Sequence, residues 1–241
     1  MLSANRLTGI EEVFRCGVSA QMRHPGRAVC ELNLLDQDGN PYRAFAKLNW
    51  GRRRLWPRLT DLRTGQPFSS HPVKEWHGLD KLHSLGLAVP ERLALFEEGV
   101  WHFRAAVIVR AVPPPRSIYE MLCDGSWHAL PQADRMGIVD QIVDTLDRVH
   151  AGRLGWRGTS TGHFYPERTP TGGWKLWLID CEGVHTRATR RTSKRDFRKI
   201  ARCLSRAGAD WLTLEHLRLR VETERRISLG PDRPIHVGRA A

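Results

Sequence analysis

Over the first fifty residues the apolar positions fall in short runs separated by turn-forming residues, and the stretch reads as strands. Cys30-Glu31-Leu32-Asn33-Leu34-Leu35 and Arg43-Ala44-Phe45-Ala46-Lys47-Leu48 flank Asp36-Gln37-Asp38-Gly39-Asn40, which predicts a β-hairpin. Residues 51–70 are basic and irregular. From Pro72 to Leu85 the pattern changes: Trp76, Leu79, Leu82 and His83 recur at helical spacing, and Gly86 supplies the stop. A strand pair follows, Arg92 to Phe96 and Trp101 to Val109, around Glu97-Glu98-Gly99. Ala111-Val112-Pro113-Pro114-Pro115 then breaks the regular pattern, because proline fixes the backbone and removes N–H donors.

Beyond this linker the period is mostly helical. Asp134 is expected to cap a helix reaching His150, with Met136, Ile138, Val139, Ile142, Val143, Leu146 and Val149 as its apolar face. A Gly- and Thr-rich loop leads to a second hairpin, from His163-Phe164-Tyr165 through Thr169-Pro170-Thr171-Gly172-Gly173 to Trp174 and on to Asp180. Helices are expected again over Asp196 to Arg206 and Thr213 to about Arg226. The order predicts an α+β chain in two lobes: a β-rich N-lobe with one helix over 1–112, and a mainly helical C-lobe over 113–241.

With 241 residues and a hydrophobic fraction of 41%, the chain can bury a real core. No apolar run approaches the ~18 residues of a membrane span, and Met1 to Arg6 lacks the apolar centre of a secretory signal, so a cytoplasmic location is expected. The five cysteines are scattered, with no CxxC pair, and suggest neither a disulfide frame nor a zinc site. The formal charge of +12 changes the picture most. The basic residues form two groups, Arg52, Arg53, Arg54, Arg58 and Arg63, and a run from Arg187 through Arg190, Arg191, Lys194, Arg195, Arg198, Lys199 and Arg202 to Arg206. Such groups are either a solvated face or a surface for a polyanion.

Four residues carry candidate chemistry. Lys47 ends a predicted strand, and Glu75 lies on the helix after it; each alone reads as an ordinary surface charge. Asp180 follows Leu176-Trp177-Leu178-Ile179, so a carboxylate is expected at the end of a buried strand, where it needs a cation or a metal. His163 opens the hairpin that Asp180 closes. Paired strands are expected to bring the two side chains together, as a divalent-metal site or as a hydrogen-bonded His–Asp pair.

The order of these residues resembles that of kinase-like phosphotransferases: lysine on a strand, glutamate on the next helix, a catalytic loop, a hairpin, then aspartate. More specifically, the chain resembles the lipopolysaccharide kinase (Kdo kinase and WaaP) family over roughly residues 25 to 225. His150 to His163 resembles the family's catalytic loop, with Trp156-Arg157-Gly158 where H-R/K-D is usual and His163 five residues on. Leu178-Ile179-Asp180-Cys181-Glu182 looks like its metal-binding segment. Val73-Lys74-Glu75-Trp76, Leu85-Gly86 and Val89-Pro90 resemble its glutamate helix and following turn, and Lys194-Arg195-Asp196-Phe197 its late basic helix.

The resemblance implies a protein-kinase-like fold and an ATP-dependent transfer to a sugar hydroxyl, Kdo or heptose, of the lipopolysaccharide inner core. It implies that Lys47 holds the ATP phosphates, Glu75 orients Lys47, Asp180 and His163 hold Mg2+ (with Mn2+ also accepted), and Asp196 braces the catalytic loop. The implied partners are the inner-core glycolipid and an anionic membrane surface, at the cytoplasmic face of the inner membrane. The chain departs from the family at Gly158, where the proton-accepting aspartate is expected; Glu182 is the candidate replacement. It also has no G-x-G-x-x-G among Gly9, Gly17 and Gly26. A pseudokinase that binds nucleotide or only a partner is the alternative. A nucleic-acid-binding protein is a third class, but no zinc-finger, RRM or KH pattern supports it, and no nucleic acid is expected as a partner.

Overall fold

The computed structural model describes residues 7–16, 21–52, 69–99, 101–186 and 189–225. Of the two basic groups, Arg53, Arg54, Arg58, Arg63 and Arg187 lie outside the described residues, as do Gly17 of the glycine-containing stretch and Arg226.

The chain forms two compact units. The first comprises residues 1–113 and 177–187, the second residues 114–176 and 188–241. The expected division put everything after residue 112 in the second unit; instead the chain returns to the first at Trp177. Two contacts hold that return: Ala88 bridges Trp177 in parallel, and the Leu178 N–H donates to the Ala88 carbonyl at 2.9 Å.

The first unit is built on an antiparallel sheet in the order β1 (Gln21–His24), β2 (Arg27–Leu35), β3 (Pro41–Arg52), β5 (His102–Arg110), β4 (Arg92–Glu98). The period of two decides its faces. Ala28, Cys30, Leu32 and Leu34 of β2 and Ala44, Ala46 and Leu48 of β3 are buried on one face, where Val13 covers them. Val13 belongs to a helix, α1 (Ile10–Cys16), so the expectation of strands throughout the first fifty residues is corrected there. Its two buried residues, Ile10 and Val13, make too short a pattern to show a helical period.

Lys47 alternates with Ala46 and Leu48 and therefore lies on the opposite face, in register with Val29 on β2 and Val107 on β5. Helix α2 (His71–Ser84) presents Leu79 and Leu82 inward, each with no exposed surface. Burying each stabilises the unit by about 1.5–3 kcal/mol. The helix ends as its sequence predicts: Gly86 N–H donates to His83 and Leu87 N–H to Leu82, which satisfies the last carbonyls. A short strand, β9 (Val184–Thr186), completes this unit.

The second unit opens with α3 (Ile118–Cys123), whose start is a capping box. The Ser117 side chain accepts from the Glu120 N–H, and the Glu120 carboxylate accepts from the Ser117 N–H. Helix α4 (Gln132–Ala151) buries Ile138, Val139, Ile142, Val143, Leu146 and Val149 of the expected apolar face, while Met136 is only half-buried. It begins two residues before Asp134, which is not its cap; that carboxylate accepts from Arg168 at 2.7 Å and from the Trp174 indole at 3.2 Å. After β6 (Leu154–Trp156) comes a hairpin of β7 (Phe164–Arg168) and β8 (Trp174–Leu178), whose last two residues run into the first unit. Helix α5 (Arg190–Arg206) starts earlier than Asp196, because Thr189 caps it by accepting from the Thr192 N–H. Asp210 likewise accepts from the Thr213 N–H and hydroxyl as α6 (Trp211–Arg225) begins.

Candidate active site

In the first unit three acids gather with Lys47, Arg27 and His71 where β2, β3 and α2 meet the returning segment after β8. Lys47 Nζ donates to Glu75 Oε1 at 2.5 Å and lies 3.6 Å from Asp180 Oδ1. The sheet alternation sends Lys47 to the face that α2 covers, and Glu75 lies one helical turn before Leu79, on the buried stripe. Lys47 is not at a strand end as expected, because β3 continues to Arg52.

Glu75 is the buried acid of the site, only 3% exposed, and not the surface glutamate its position alone suggested. Asp180 reverses the expectation the other way. Strand β8 stops at Leu178, and Asp180 takes a left-handed backbone with φ 55°, which leaves its side chain 42% exposed. It therefore lies in a turn, with one carboxylate oxygen 3.6 Å from Lys47 and its side chain half-exposed.

Burial is the strongest influence on the Lys47 ammonium and opposes its charge, but the facing Glu75 and Asp180 outweigh it and hold its pKa above the ordinary lysine value. Burial pushes the Glu75 carboxyl up, against the pull of Lys47, and the charge of Asp180 adds to the rise. An ammonium facing two acids stays charged, so the site carries a fixed positive group at Lys47. Burial also pushes the Cys181 thiol well up, which makes it a packed group and not a nucleophile.

Glu182, two residues on, is already engaged. Its Oε2 lies 2.6 Å from His71 Nδ1, its Oε1 faces Arg27 at 3.7 Å, and Arg27 also meets His71. The turn Cys181–Gly183 that carries it packs on α2 at Gly78, where an added Cβ would overlap the Cys181 carbonyl. Arg27, His71 and Gly78 gave no functional signal in the sequence. Only Gly78, a glycine inside a helical pattern, could have hinted at a close backbone approach.

The second unit holds the loop that runs from Trp156 to His163. Asp196, fully buried on α5, accepts from the Trp156 N–H at 3.1 Å, faces His150 Nε2 at 3.2 Å, and takes two bonds from Arg195 on its other oxygen. His150 is held from its other nitrogen by Ser193 at 3.1 Å. Thr159 donates its hydroxyl to the Trp156 carbonyl at 2.5 Å, and the His163 N–H donates to Ser160. The His163 ring stacks on Trp156 with centroids 6.3 Å apart. Between these anchors sits Gly158, with φ 110° and nothing within 4 Å of an added Cβ. Positive φ of that size is glycine's own territory, so the backbone here is shaped around the absence of a side chain.

The structure thus brings Lys47, Glu75 and Asp180 together in one unit, and places Gly158, His163 and Asp196 in the other. Among the described residues no three His, Cys, Asp or Glu side chains form a ready-made metal cluster, and no helix is long and apolar enough to cross a membrane.

A solved structure described as WaaP in complex with acyl carrier protein superimposes with a TM-score of 0.62 at 17% identity, covering 88% of this chain and 86% of that one. The likeness identifies a mixed α+β, protein-kinase-like fold. No curated protein sequence matches the chain closely enough to count as a relative. The profile of the lipopolysaccharide kinase (Kdo/WaaP) family matches residues 44–217, a span that runs from the strand of Lys47 to the middle of α6. That match extends over well more than half of the sequence, and the chain belongs to the lipopolysaccharide kinase (Kdo/WaaP) family.

Proposed function

We propose that the protein is an ATP-dependent phosphotransferase whose acceptor is a sugar hydroxyl, of Kdo or heptose, in the lipopolysaccharide inner core, and whose turnover is slowed by Gly158. The observation that carries this reading is the Lys47 ammonium held between buried Glu75 and half-exposed Asp180. Lys47 binds the α- and β-phosphates as a point charge, and Glu75 fixes its direction. Asp180 and His163 are the residues that would hold the divalent ion. Magnesium takes one or two protein carboxylates and fills its other positions with phosphate oxygens and water, so a single half-exposed carboxylate at Asp180 suits it. The imidazole of His163 is a softer ligand, which favours acceptance of manganese as well. When bound, the ion neutralises charge on the phosphates. Asp196 braces the loop through the Trp156 N–H.

The acceptor hydroxyl must lose its proton as the phosphoryl group arrives. General-base help is worth about 10² to 10⁴ in rate, and Gly158 supplies none. Glu182 is a poor substitute, since Arg27 and His71 occupy its two oxygens; it braces the Asp180 turn instead. Positioning and electrostatics supply most of phosphoryl-transfer catalysis, so slow turnover survives. The glycine-only backbone at Gly158 favours a second reading: a nucleotide-binding pseudokinase of the same fold. Following the γ-phosphoryl group from ATP to an inner-core acceptor, with magnesium, separates the two. Slow transfer supports the kinase; binding of ATP without any transfer supports the pseudokinase. The expected place of work is the cytoplasmic face of the inner membrane.

A further inference from the structure

Helix α5 carries a second organised feature that phosphate transfer does not use. Arg191, Arg195, Arg198, Arg202 and Arg206 are all exposed, at steps of four, three, four and four residues. At about 100° per residue they fall within roughly 80° of the helix circumference and run some 22 Å along it. The opposite side of the helix is buried through Phe197, Ile200 and Leu204. The only acid in α5, Asp196, is on that buried side, and Arg195 bonds to it. The exposed side therefore holds cations alone. Five residues after the stripe ends, α6 begins with Trp211 and Leu212, 70% and 41% exposed, and Leu219 is 51% exposed two turns later on the same outward side. The acids on that side, Glu215 and Glu222, face Arg218.

We infer that α5 and the start of α6 form a docking surface for an anionic phospholipid bilayer, with the arginine stripe on the headgroup phosphates and Trp211 and Leu212 at the interface. A straight stripe on one side of a helix fits a plane of charge. Arginine matches phosphate with its planar fork, and an exposed Trp–Leu pair beside it suits the boundary between headgroups and acyl chains. A nucleic-acid surface would use the cations and leave the apolar pair without a role. The surface lies apart in sequence from Lys47, Glu75 and Asp180, so it stands whether or not the protein transfers phosphate.

The test is co-sedimentation of the full chain with vesicles of phosphatidylcholine alone or mixed with phosphatidylglycerol, at physiological salt. Binding to the mixed vesicles only is expected, falling as salt rises. Each basic residue near such a surface is worth about five-fold in partition, so R198E together with R202E is expected to lower binding more than about 25-fold with Tm unchanged. W211A is expected to leave low-salt binding in place and to remove what persists at high salt. Equal binding to both vesicle types, or full binding by the double variant, overturns the inference. So does retention on heparin, RNA or an acidic protein without a preference for anionic vesicles, which would assign the stripe to a soluble polyanion.

Discussion

Lys47, Glu75 and Asp180 divide the labour of one charge cluster by their exposure. Glu75 is buried and depends on Lys47 for its charge; Asp180 is half-exposed. Replacing Glu75 with alanine leaves a largely buried ammonium facing only Asp180. Breaking a fully dry pair costs about 3–5 kcal/mol, and because Lys47 is still 24% exposed the loss is expected nearer 2 kcal/mol, a fall in Tm of about 4–8 °C. ATP affinity should fall as well, while E75Q, which can still accept from Lys47, recovers most of the stability; thermal melts and nucleotide titration of both variants check this. Gly158 makes the opposite case, a residue whose contribution is the absence of a side chain. G158D finds open space but a positive φ, so it is expected to cost about 1–3 kcal/mol of strain. Its gain in turnover should stay below the about 10² that a well-placed base supplies. A larger gain at unchanged stability would mean that the aspartate alone was lost and the loop around it was not reshaped. The pairing of Lys47 with Glu75 was legible only through the resemblance, since each alone reads as a surface charge. The exposure of Asp180 was not legible, because it depends on one left-handed residue just past a strand end.

At the scale of elements, α2 and the turn Cys181–Gly183 form the joint that sets Asp180 against Lys47. Gly78 lets them touch. G78A must separate the helix from the Cys181 carbonyl, at a cost of about 1–3 kcal/mol for overpacking. Because Glu75 is three residues away on the same helix, the variant is expected to weaken magnesium-dependent ATP binding beyond what its lower Tm explains. Unchanged affinity in a destabilised G78A protein would show that the joint does not position the site. The strands β2 to β5, α2 with its Gly86 stop, and the apolar face of α4 were all readable from periodicity. Helix α3 was not predicted, although Ser117-Ile118-Tyr119-Glu120 has the spacing of a capping box. Helix α1 was not, since seven residues with two buried positions give no period to read. The early start of α5 went unseen because its first turn is basic and polar, and its N-cap threonine resembles any loop residue.

Across the whole molecule, the chain leaves its first unit at the proline linker, builds the second, and returns for residues 177–187 before completing it. No linear reading places that return, because the contacts that hold it, Ala88 with Leu178 and Gly78 with Cys181, join positions about a hundred residues apart. The consequence is functional. Of the residues proposed for nucleotide and metal, Lys47, Glu75 and Asp180 lie in the first unit, while His163 and the loop with the missing base lie in the second, so nucleotide binding and transfer are expected to fail separately. The account's central claim concerns binding. Isothermal titration of ATP into the wild-type protein and into D180N, each with magnesium and with EDTA, tests it directly. The prediction is that wild type binds ATP with magnesium and much more weakly with EDTA, while D180N shows only the weak binding in both, having lost the carboxylate charge that holds the ion. Full magnesium-dependent binding by D180N would contradict it.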